Sequence, residues 1–130
     1  MRKLTLLLLS VLVSLFAFSQ DTSLAIIPQP VSERLTGGHF VLPASILVET
    51  RDIKPLAHTL EDMKTHLSLP TGYSVTFANQ FSPAATIRLV LDKSTANTLG
   101  AEGYTLTITS KSVVIRASQP AGMAIRKYPR

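Results

Sequence analysis

The chain has 130 residues, enough for one ordinary domain, and no cysteine. The missing thiols exclude a disulfide framework, thiolate metal sites, a cysteine nucleophile and a lipid-modified cysteine. The net charge of +5 comes from the two ends, Arg2 and Lys3 at one and Arg126, Lys127 and Arg130 at the other. Between Gln20 and Gln119 eight basic residues balance eight acidic ones, so no nucleic-acid partner is expected.

Arg2 and Lys3 precede a nearly continuous apolar run from Leu4 to Phe18. Ala17-Phe18-Ser19 then offers small residues where a signal peptidase reads them. Residues 1–19 are expected to be a secretory signal peptide, with Gln20 the first mature residue and a periplasmic or secreted destination. The run is short for a bilayer span of roughly 20 residues, so no stable membrane anchor is expected after cleavage.

Ile26-Ile27-Pro28-Gln29-Pro30 is an extended lead-in, because each proline fixes its own φ and steers the residue before it away from helix. Thr36-Gly37-Gly38 signals a turn. Phe40-Val41-Leu42 is a short strand candidate broken by Pro43, and Ile46-Leu47-Val48 resumes β-rich composition.

A helix is expected between Asp52 and Leu67. Leu56, Leu60, Met63 and Leu67 recur at i, i+4, i+7 and i+11, and Ile53 extends the stripe. Asp52 is suited to cap its start, Pro55 fits the first turn, and Leu69-Pro70-Thr71-Gly72 stops it. One apolar face requires something to lie on. Period-2 alternation in four later segments supplies a sheet: Tyr73, Val75 and Phe77; Ile87, Leu89 and Leu91; Tyr104, Leu106 and Ile108; Val113, Ile115 and Ala117. Ser110-Lys111-Ser112 is short enough for a hairpin. Strands in succession around one early helix favour an α+β fold.

These elements carry a family resemblance. Ile27-Pro28-Gln29-Pro30, Gly38-His39-Phe40, the Leu56–Leu67 helix with Gly72-Tyr73, Glu102-Gly103-Tyr104-Thr105-Leu106, and Val113–Ala117 leading to Ala121-Gly122 occur in a characteristic order. Over roughly residues 24–123 the chain resembles the N-terminal accessory domain of glycoside hydrolase family 20 β-N-acetylhexosaminidases. The resemblance implies a mostly antiparallel sheet with helices on one face, beside a catalytic (β/α)₈ barrel as the domain's partner. It implies a parent enzyme of carbohydrate metabolism that removes terminal N-acetylhexosamine residues. In that mechanism the substrate's own acetamido oxygen attacks, and an Asp-Glu pair orients the amide and supplies the acid.

None of that machinery maps onto this chain. It has no Asp-Glu dipeptide and no tryptophan, and Glu61-Asp62 is in the reverse order on the helix. A barrel needs roughly 250 residues. The match fades after Gly122-Met123, where the family's second helix would begin, and Gly122 and Pro129 both oppose a helix there. The expected organisation is therefore a signal peptide over 1–19, a hexosaminidase N-terminal-like domain over 20–123 and a divergent basic tail over 124–130. The second helix is expected to be truncated, through a shortened or frameshifted reading frame.

No catalytic, cofactor-binding or metal-binding residue is expected. His58, Asp62 and His66 lie at i, i+4 and i+8, a spacing that suits metal ligation, but opposite the apolar stripe, where polar residues belong on any amphipathic helix. His39 sits in a turn without a local nucleophile or carboxylate. Tyr73, Phe77 and Tyr104 fall on apolar strand positions and are expected in the core, whereas Phe81, beside Ser82-Pro83, is the aromatic expected at the surface. Glu102 is expected to pair with a cation or with backbone amides, and Gly103 to mark a bend or a close backbone approach. The competing function is an independent exported module that binds carbohydrate or protein, which requires an exposed aromatic or polar cluster.

Overall fold

The computed structural model describes residues 30–124. The signal peptide expected over 1–19, residues 26–29 of the lead-in and residues 125–130 of the expected basic tail lie outside the described residues. Residues 31–36 are exposed and irregular, and they belong to a separate unit from the one that begins at Gly37.

From Gly37 onward the chain forms five strands: β1 (Ser45–Glu49), β2 (Ser74–Ala78), β3 (Ile87–Leu91), β4 (Tyr104–Ile108) and β5 (Val113–Ala117). A long helix α1 (Ala57–Thr71) joins β1 to β2. A 3-10 turn (Lys93–Thr95) and the short helix α2 (Ala96–Leu99) join β3 to β4. The strands make one sheet in the order β2-β1-β3-β5-β4.

The α+β class holds, but the sheet is not mostly antiparallel. β1 runs parallel to both β2 and β3, β3 runs parallel to β5, and the antiparallel pairing is that of β4 with β5. The reason lies in the connections. Parallel neighbours need a crossover of a dozen or more residues, and α1 provides one between β1 and β2. The loop Ser110-Lys111-Ser112 is too short for a crossover and makes the hairpin.

The strand candidate Phe40-Val41-Leu42 is coil. Val41 is exposed, and of the three residues Leu42 is the one that reaches the core. A strand needs a ladder partner, and β1 already has β2 and β3 on its two sides. The helix also begins later than the sequence suggests. Leu56, not Asp52, occupies the cap position and supplies no side-chain cap, while Ile53 lies outside the helix and is exposed. Asp52 starts a preceding turn, its carbonyl accepting from the Leu56 N–H at 3.1 Å. The helix runs through Pro70 to Thr71, because a proline in the last turn forfeits a single backbone bond. Gly72 then ends it with a left-handed φ of 71°, its N–H donating to the Ser68 carbonyl at 2.8 Å.

Register divides the sheet into two faces. Ile46, Val48, Val75, Phe77, Ile87, Leu89, Leu91, Tyr104, Leu106, Ile108, Val113, Ile115 and Ala117 share one face, and every one of them is apolar or aromatic. The opposite face carries Ser74, Thr76, Glu49, Arg88, Arg116, Thr105 and Thr107 among smaller apolar residues. α1 lies on the apolar face, where Leu56, Leu60 and Met63 join Ile46, Val48, Ile87, Leu89 and Ala117 in the core. Leu67, Tyr73, Val75 and Phe77 pack against it from the side. Ile46, Leu56 and Leu89 are fully buried, each worth roughly 1.5–3 kcal/mol of transfer free energy.

β5 ends in a 3-10 turn (Pro120–Met123) that returns to the apolar face and buries Met123. This turn packs closely on backbone and on the Ala117 side chain. A Cβ on Gly122 would lie 2.5 Å from the Gly103 carbonyl oxygen, and a Cβ on Gly103 would lie 2.0 Å from the Leu99 carbonyl oxygen. The close backbone approach expected at Gly103 is therefore real, and it stacks α2, residue 103 and the final turn on one another.

These contacts rank three glycine substitutions. Gly103→Ala and Gly122→Ala must displace backbone, which costs about 1–3 kcal/mol or more. Gly72→Ala meets open space and bears only the left-handed conformation, at about 1–2 kcal/mol. Urea denaturation is expected to place Gly103→Ala lowest in stability and Gly72→Ala highest of the three.

Candidate functional site

The polar face holds the clearest side-chain constellation. Glu49 ends β1 with its side chain buried on this face. Its carboxylate accepts from the Ser82 N–H at 2.7 Å and the Ser82 hydroxyl at 2.5 Å. Arg88, paired with Glu49 across β1 and β3, donates from Nη2 to the Ser82 carbonyl at 2.7 Å and stands 3.9 Å from the Glu49 carboxylate. Phe81 meets two cations, with the Arg51 and Arg88 guanidinium carbons each 4.9 Å from its ring centroid. The loop from Asn79 to Thr86 is thus clasped to the sheet. Phe81, expected at the surface, is partly buried by the clasp, and its π-system is engaged by arginines.

A second cluster sits at the carboxyl ends of β3 and β5. Asp92 accepts from the Ser94 hydroxyl at 2.6 Å and the Ser94 N–H at 3.0 Å, capping the 3-10 turn. Its other oxygen receives Arg116 Nη1 at 2.6 Å. The Ser94 hydroxyl bond, the Ser94 backbone bond and the Arg116 guanidinium together hold the Asp92 carboxyl below its ordinary value. Nearby, Asp52, Pro55, Leu91, Lys93, Ser118, Gln119 and Pro120 line a shallow cleft of about 410 Å³. The Ser118 hydroxyl is committed to the Gly100 carbonyl and does not point a free donor into it.

The helix histidines form no centre. His58 is almost fully exposed, 3.8 Å from Asp62, and His66 is exposed. Among the described residues no group of three or more His, Cys, Asp or Glu could hold a metal ion. His39 is exposed in irregular chain. Glu102 is exposed just before β4.

One expectation about aromatics is overturned. Tyr73 and Phe77 pack against the core, but Tyr104 is 54% exposed. Leu106 and Ile108 on the same strand are also exposed, at 45% and 52%. Their period-2 pattern marks the apolar face correctly. α1 covers the other half of that face, so pattern and burial part company at β4. The arginine clasp had no signal in the sequence, since Arg51, Phe81 and Arg88 meet only through sheet register and a loop.

Glu49 thus anchors a loop, and Asp92 caps a turn. The chain matches the family model of glycosyl hydrolase family 20, domain 2, over residues 23–125, and it belongs to that family. It is similar to the Streptomyces plicatus N-acetyl-β-hexosaminidase, whose structure was solved in complex with Thio-NAglucal, at 27% identity and a TM-score of 0.62. That match covers 75% of this chain and 19% of the Streptomyces enzyme. The β-N-acetylhexosaminidase of Bacteroides fragilis shares the fold at 18% identity and a TM-score of 0.57, with 75% and 18% of the two chains covered. No curated protein matches the chain significantly. The chain is a hexosaminidase accessory domain, and it spans under one fifth of the enzymes it resembles.

Two substitutions test the polar face. Glu49→Ala removes both Ser82 bonds from a buried position and is expected to cost about 2–3 kcal/mol, with faster hydrogen exchange confined to the Asn79–Thr86 loop. For Asp92 the depressed pKa means stability that is present above about pH 4 and lost as pH falls through the folded-state value. Asp92→Asn is therefore expected to melt below wild type at pH 7, the gap closing in melts taken progressively below pH 4.

Proposed function

We infer that this chain serves as the non-catalytic accessory domain of an exported β-N-acetylhexosaminidase, seated beside a catalytic domain that removes terminal N-acetylhexosamine residues. The observation that carries this reading is the family match, which runs across all five strands of the sheet and both α1 and α2. Its share of the longer hexosaminidases, under one fifth of each, supports an auxiliary role. So does the engagement of Glu49 with a loop and of Asp92 with a turn, which leaves neither placed opposite a second carboxylate as general acid or base. The positive start and the apolar run up to Ala17-Phe18-Ser19 support export.

One experiment addresses both parts of the reading. Expressed with its own N-terminus, the protein is expected outside the cytoplasm and to begin at Gln20 by N-terminal sequencing. That material is expected to release no chromophore from a chromogenic N-acetylglucosaminide. Turnover abolished by a point substitution within this chain would overturn the non-catalytic role. Titration with chitin oligosaccharides is expected to give no saturable heat. Saturable binding lost in Tyr104→Ala would replace the accessory role with that of a carbohydrate-binding module.

A further inference from the structure

We draw no further inference here: the strongest candidate, the exposed apolar patch of Tyr104, Leu106 and Ile108 on the β4 edge of the sheet, carries nothing because nothing in the structure shows what covers it.

Discussion

The contact between α1 and the apolar face of the sheet is the constraint on which the rest of this domain depends. Leu56, Leu60 and Met63 close over Ile46, Val48, Ile87 and Leu89, and these residues make up most of the core. The chain has no cysteine to cross-link it, and burial of these residues is its main visible source of stability. The same contact imposes the topology. A helix long enough to cover the sheet returns the chain parallel to where it left, so β1 and β2 run the same way.

The opposite face is secondary to that layer and mixes polar side chains with Leu47, Ala78, Val90 and Val114. A sheet covered on one side exposes the other to water, and its strands alternate accordingly. On that side the buried Glu49 carboxylate, the Arg88 guanidinium and the Phe81 ring fasten the loop between β2 and β3. The Asp92, Ser94 and Arg116 cluster does similar work at the ends of β3 and β5. Both arrangements use charge to hold backbone in place. The chain that holds them spans under one fifth of the hexosaminidases it resembles.

The apolar layer is not closed evenly. α1 shields β1, β2 and β3, and the Pro120–Met123 turn shields part of β5, but Tyr104, Leu106 and Ile108 on β4 remain open. Exposed apolar side chains on an edge strand are a liability that folded proteins usually blunt with charge, proline or a covering element. The two glycines at 103 and 122 bring the final turn close to the start of this same strand. The close backbone packing at these glycines thus adjoins the exposed apolar side chains of β4.

The amino-acid sequence by itself determined the helix stripe, four of the five strands through their alternation, the Ile46-Leu47-Val48 segment of the fifth, and the family to which the elements belong. It did so because period 3.6 and period 2 are local properties of a chain with one wet and one dry side. It also marked Gly103 as a close-approach position. Strand direction was not legible, because alternation reads the same for parallel and antiparallel neighbours and only the crossovers decide. Nor was the exposure of Tyr104. Its position in the pattern says which face it occupies, while its burial depends on whether another element reaches that far across the sheet. The Arg51, Phe81 and Arg88 clasp was decided by tertiary structure alone, since three residues dispersed over 38 positions meet only when β1 and β3 are in register.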